Sequence, residues 1–234
     1  TKNGVIKKTC LKEYSRPRTN GVIAINILED DRVIGVRLTN GNNEIILANR
    51  NGRAIRFNEQ DVRTMGRVAT GVRGMTLDGG DDEVVGMVCV NDPQTETIMV
   101  VSENGYGKRT GIEDYRKTKR GAKGVKTLEV TEKTGRLVAI KVVTDENDLM
   151  IINKSGVLIR LKVAEVRVMG RATQGVRLIN LTKKNDSIAS VCKVQSSNDE
   201  EVDAVVTGVA NLGDKQFCYD SRNLVVGSWN KAGT

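Results

Sequence analysis

Residues 116 to 126 read Arg-Lys-Thr-Lys-Arg-Gly-Ala-Lys-Gly-Val-Lys, in which six of eleven residues are Lys or Arg, two are Gly and none is acidic. Cationic heads on a glycine-bearing turn break no bonds; they hold anions, and polyanions above all. The partner such a stretch fits is nucleic acid. Its layout returns at three other places. Counting back from a Gly-Val pair, Arg67, Arg120 and Arg171 share one position and Arg63, Arg116 and Arg167 another, while a loop two residues shorter carries Arg16 and Arg18. Arg73, Lys126 and Arg177 follow the same pairs, and Lys117, Lys119 and Lys123 complete the densest loop. A second column, Lys8, Arg56, Arg109 and Arg160, falls on what reads as the returning strand of a hairpin and is expected to line one surface. All eighteen are candidate DNA-binding residues.

Other chemistries lack their residues. The chain has no histidine, which removes the Ser/His and Cys/His constellations and the commonest metal ligand. Cys10, Cys89, Cys192 and Cys218 lie far apart with no two-residue spacing, so neither a zinc nor a redox site is expected; they read as small, buried, reduced apolar residues. Glu13, Asp61, Asp114 and Glu165, each followed by Tyr or Val, are expected to pair with the loop arginines rather than to catalyse. No catalytic residue, metal or cofactor is therefore expected here. With 37 Lys and Arg against 29 Asp and Glu in 234 residues, the balance favours polyanions. Aromatic residues make up 3%, too few for the stacking platforms of single-strand binders, and duplex phosphates remain. The chain starts at Thr1 without a leader and has no apolar run near membrane-spanning length, so a piece of a cytosolic protein is expected.

The elements that must position these cations repeat about every 50 residues. Turn glycines fall at Gly4, Gly52, Gly105 and Gly156, and glycines before valine at Gly21, Gly71, Gly124 and Gly175. A third ruler is the small residue inside another strand: Gly35, Gly86, Ala139 and Ser190. Each repeat reads as four strands. Residues 45–48, 98–101 and 149–152 are continuous apolar runs, expected at sheet centres, and each leads into a tight turn. After each Gly-Val, residues 22–27, 72–77, 125–130 and 176–181 alternate as strands with one wet face. The third-ruler residue should permit close approach between sheets. Repeating four-stranded sheets give an all-β, propeller-like disc in which each blade covers its neighbour; nothing reads as a helix-turn-helix or zinc finger.

Asn-Gly-Val-Ile-Lys-Lys-Thr (3 to 9), Met-Gly-Arg-Val-Ala-Thr-Gly-Val-Arg-Gly (65 to 74), Glu-Asn-Gly-Tyr-Gly-Lys-Arg-Thr (103 to 110) and Met-Gly-Arg-Ala-Thr-Gln-Gly-Val (169 to 176) closely resemble the C-terminal domain of the DNA gyrase A subunit. The resemblance covers about residues 1 to 194. It implies a β-pinwheel, a propeller-like ring of usually six blades that exchange strands and wrap duplex DNA around a basic rim, so that the ATP-driven holoenzyme introduces negative supercoils. The implied partners are double-stranded DNA, the rest of the gyrase A subunit, and the gyrase B subunit joined through it. The implied location is the bacterial cytoplasm, at the nucleoid. The family's Gln-Arg-Arg-Gly-Gly-Lys-Gly box belongs to its first blade and is expected upstream of Thr1. Lys119 to Gly124 looks like a partial relative of it. The family's cleavage tyrosine belongs to a separate region, so Tyr14, Tyr106, Tyr115 and Tyr219 are expected only to pack.

Four repeats are fewer than six, so an open arc is expected. Residues 195–234 fit the repeat poorly and read as an atypical polar tail: Val205 to Val209 could form one closing strand, and Asp214 to Thr234 match no pattern. Two alternatives stay open. One is the equivalent domain of topoisomerase IV, disfavoured because all four repeats keep basic loops; the other is a protein-binding propeller whose cations merely face solvent.

Overall fold

The computed structural model describes residues 1–181, 186–196, 209–212, 215–219 and 225–230. The strands are β1 (Val5–Ile6), β2 (Glu44–Asn49), β3 (Arg53–Asn58), β4 (Val72–Arg73), β5 (Val84–Val90), β6 (Thr97–Ser102), β7 (Tyr106–Gly111), β8 (Val125–Lys126), β9 (Leu137–Val143), β10 (Asn147–Asn153), β11 (Leu158–Lys162), β12 (Val176–Arg177) and β13 (Ile188–Gln195). Among the described residues the only helical elements are four short 3-10 turns. Thr1–Val194 form one unit and Gln195–Thr234 another. In the second, β14 (Val209–Leu212), β15 (Lys215–Tyr219) and β16 (Val225–Asn230) pair as an antiparallel three-stranded sheet, where the sequence reading has a tail with one strand at most. Residues 205–208 of that expected strand lie outside the described residues.

The three apolar runs become β2, β6 and β10, each hydrogen-bonded between two neighbours: β5-β2-β3, β9-β6-β7 and β13-β10-β11. Alternate side chains of a strand point to opposite faces. Ile45 and Leu47 therefore pack toward Met75 and Phe57 on one side, while Ile46 and Ala48 pack toward Ile98 and Val100 of the next blade on the other. Met99 and Val101 repeat this against Leu149 and Ile151. Both faces are dry, which is why the runs are continuous, and each buried Ile or Leu contributes about 1.5 to 3 kcal/mol.

Each blade then lends its neighbour an edge. β4 pairs with β1, β8 with β3 and β12 with β7, so the strand after each Gly-Val completes the preceding blade's sheet. These strands are two residues long rather than the six expected; beyond them the chain turns into the interior and buries Met75, Leu128 and Ile179. The glycines allow the crossing. Gly124 has φ +78°, and a Cβ there would stand 2.3 Å from the carbonyl oxygen of Ala54. Gly86 has the third-ruler role expected of it, since a Cβ would stand 2.7 Å from Cγ2 of Ile140.

The first repeat departs from its expected four strands: residues 21–40 form none. Strand 84–90 pairs with 44–49, whereas among the described residues no strand pairs with 33–38 or with 22–27, and Val36, Leu38 and Ile23 are exposed. A strand without a ladder does not form.

Candidate nucleic-acid interface

The column Lys8, Arg56, Arg109, Arg160 does not line a surface as expected. Arg56 and Arg109 are only 4% and 5% exposed. Nη1 of Arg56 donates to the carbonyls of Ile112 (2.8 Å) and Tyr115 (3.0 Å), in the 3-10 turn of the next blade, while its Nε donates to Glu44 at 2.5 Å. Arg109 does the same to Val163 (3.1 Å) and Val166 (3.4 Å), and Nζ of Lys8 donates to the carbonyl of Glu59 at 2.9 Å. The following chain lies across each column residue, with the N–H groups of Met65, Thr118 and Met169 donating to the carbonyls of Lys8, Arg56 and Arg109. This column is an inter-blade strut. Arg160, in the last blade, pairs with Asp148 at 2.6 Å and stays part-exposed.

Arg67, Arg120 and Arg171 are half-buried clamps on the loop itself. Their Nη1 atoms donate to the carbonyls of Ile23 (3.0 Å), Arg73 (2.9 Å) and Lys126 (3.1 Å), the same position two residues after Gly in each preceding blade. They fix the course of the loop but point only part of their charge outward. One turn earlier on each loop stand Arg63, Arg116 and Arg167, exposed and without a side-chain partner among the described residues. Arg16, Arg18, Arg73 and Lys119 are likewise exposed and unpaired among them.

Other cations on the rim are neutralised in place. Lys117 pairs with Glu44, Lys123 with Asp78 at 2.9 Å and Lys126 with Glu129 at 2.6 Å. Burial works to raise the pKa of Glu44, but hydrogen bonds from Lys117 and Arg56 overcome it and hold the carboxyl below its ordinary value. The hydrogen bond from Lys123 holds Asp78 low too. Arg177 lies over the ring of Tyr106, with its Nη2 donating to the phenol oxygen at 3.0 Å. The expected pairing of Glu13, Asp61, Asp114 and Glu165 with loop arginines is absent among the described residues; the apolar residue after each acid is what the turn buries, as at Val62, Tyr115 and Val166. Buried Tyr115, bonded to Thr127, and Tyr106 pack as expected.

Sequence reading missed Lys7 and Lys108. Nζ of Lys108, fully buried, donates to the carbonyls of Gly170 (2.8 Å), Thr173 (3.0 Å) and Arg171 in the next blade's loop, and Lys7 reaches the carbonyls of Arg67 and Ala24. Desolvation, aided by the charge of Arg171, pushes the Lys108 pKa down to about 8. Each stands one residue before a column cation, a spacing visible in the sequence, but Ile55 in the second repeat and Ile159 in the fourth break the pattern. Cys10 and Cys192 are exposed rather than buried. Cys89 is half-buried, its thiol pushed up to about 11 by burial; the side chain of Cys218 lies outside the described residues. Among the described residues no cluster of His, Cys, Asp or Glu is placed to hold a metal ion, and no helix is long and apolar enough to cross a membrane.

Antiparallel blades that lend one another their edge strands define a β-pinwheel, the strand-exchanged form of a propeller, here with an arginine-bearing loop on each blade. The model of the DNA gyrase C-terminal domain, beta-propeller, matches residues 1–40, 43–91, 96–144 and 147–193, one segment per blade. The chain belongs to that family. It is 46% identical over 216 residues to the DNA gyrase A subunit of Staphylococcus aureus (strain MRSA252), covering 92% of this chain and 24% of that protein. The crystal structure of the C-terminal domain of DNA topoisomerase IV is similar at a TM-score of 0.77 with 31% identity, over 83% of this chain and 60% of the other. The DNA gyrase A C-terminal domain follows at 0.72 with 28% identity, over 82% and 63%.

Proposed function

We propose that this chain binds duplex DNA through its phosphates and bends it along the blade loops, as the wrapping module of a DNA gyrase A subunit in the bacterial cytoplasm. In that reading the rest of the gyrase A subunit, together with the gyrase B subunit joined through it, supplies strand cleavage and ATP hydrolysis. The wrap then lets the holoenzyme introduce negative supercoils. The module itself carries no catalytic group and no cofactor. The observation that carries the reading is the recurrence of one exposed, unpaired arginine per loop, Arg63, Arg116 and Arg167, each beside a clamp arginine that fixes the loop. Loops and two-residue edge strands offer nothing that reads base edges in a groove, so binding is expected without sequence preference. Gyrase is favoured over topoisomerase IV by a basic loop on every repeat and by the 46% identity to a gyrase relative.

The experiment is a salt series on unrelated duplexes of equal length. Affinity should fall linearly in log–log form and alike for all of them. A salt-independent constant, or a strong preference for one sequence, would count against phosphate binding.

A further inference from the structure

Lys108, on β7, sends its ammonium into the loop that the fourth blade lays across the third. The residue has no exposed surface, and Nζ donates to the carbonyls of Gly170 (2.8 Å), Arg171 and Thr173 (3.0 Å) and to Oγ1 of Thr173 (3.1 Å). Every one of these acceptors is uncharged. From Arg167 to Arg177 the chain carries three arginines and no acid, so the ammonium is a fourth positive charge beneath a loop that is already cationic. Gly170, Ala172, Thr173 and Gln174 above it are exposed.

The first and third blades share this device and the second does without it. Lys7 reaches the carbonyl of Arg67 in the second blade's loop, whereas Ile55 stands at the matching place before the loop of the third. That loop is pinned from elsewhere: Oγ1 of Thr76 donates to the carbonyl of Gly121 at 2.6 Å, and Nε of Arg120 to that of Asp61 at 2.9 Å. An ammonium under the loop is thus one of two ways to fix its course, and the only one of them that loss of a proton undoes. Desolvation opposes the charge on Lys108 most and Arg171 opposes it next, while Asp114 of the turn after β7 and Glu129 of the chain after β8 favour it. Glu129 is already engaged by Lys126 at 2.6 Å.

We infer that Lys108 is a positioning residue for the duplex binding proposed above, on which this inference rests: its charged ammonium holds the fourth blade's loop in the course that presents Arg167, and phosphate on that loop in turn holds the proton on Lys108. A phosphate over Arg167 and Arg171 offsets the repulsion that works against the ammonium, so protonation and duplex binding favour each other by the same factor. Losing the proton leaves two N–H groups and no charge to hold four acceptors. The loop is then released at the point where its exposed arginine is carried.

The test uses the full chain and one duplex at fixed salt. The titration of Lys108, followed by NMR at its ε-carbon, has its midpoint at about 8 in the free chain and should move upward when the duplex is saturating. Duplex affinity should fall several-fold from pH 7 to pH 9, and by no more than about tenfold, the limit for a single group that titrates at about 8. Lys108→Met should weaken binding at pH 7 and lose most of that pH dependence. The NMR titration needs no substitution, so it decides the matter where Lys108→Met does not fold. An ε-carbon midpoint that the duplex leaves unmoved, or an affinity as pH-dependent in Lys108→Met as in the parent, would overturn this inference and leave duplex binding itself intact. A parent chain that binds no duplex at low salt would overturn both.

Discussion

Nη1 of Arg56 lies 2.8 Å from the carbonyl oxygen of Ile112, so a cation of one blade's hairpin satisfies the turn of the next. Arg109 repeats the relationship one blade on and Lys8 one blade back. Arginines that look alike in the sequence thus divide into those that hold blades together and those that face solvent, and the two kinds should respond oppositely to removal.

Arg56→Ala should destabilise the fold by about 3 kcal/mol, because it leaves buried Glu44 with one fewer partner and takes a donor from the carbonyls of Ile112 and Tyr115. Arg116→Ala, an exposed change, should fall within about 0.5 kcal/mol of the parent. Urea denaturation of both variants checks this. Equal losses would mean that the strut contributes no more than a surface charge.

The fold was legible because its period is carried by residues with steric reasons to recur. Gly52 and Gly105 have positive φ, and β2 and β6 are dry on both faces, so turns and central strands were found where expected. The site was legible only in part. A strut arginine and a rim arginine occupy equally regular columns, and only the position of the following blade, which no spacing encodes, decides which is covered. The absent strands at 22–27 and 33–38 have the same origin: their patterns are intact, but pairing is a property of two segments.

Lys108 should leave a signature in the pH dependence of stability. Its folded pKa, about 8, lies below the 10.5 of an ordinary lysine, so between those values the unfolded chain binds the extra proton. Stability therefore rises with pH across that window, and below pH 8 the buried charge costs its full amount. The difference in unfolding free energy between the parent and Lys108→Met should grow in the parent's favour from pH 8 to 10.5. A difference that stays flat would place the titration elsewhere.

Gly124→Ala and Gly21→Ala impose the same left-handed strain, about 1 to 2 kcal/mol, but only the first also drives a methyl group into the Ala54 carbonyl. Thermal unfolding of dilute monomer should show Gly124→Ala as the more damaging by a wide margin. Similar melting temperatures would mean that the exchanged edge can shift without loss.

The central claim is that the exposed loop arginines, not the struts, hold DNA. The measurement is the salt dependence of duplex affinity for Arg63→Ala/Arg116→Ala/Arg167→Ala, with bending read by end-to-end energy transfer on the same DNA. If each arginine neutralises one phosphate, the log–log slope should become shallower by about 2.7, at roughly 0.9 per contact, with all sequences weakened alike and the bend reduced. An unchanged slope and bend in a folded variant would contradict the account and move the DNA to another face of the blades.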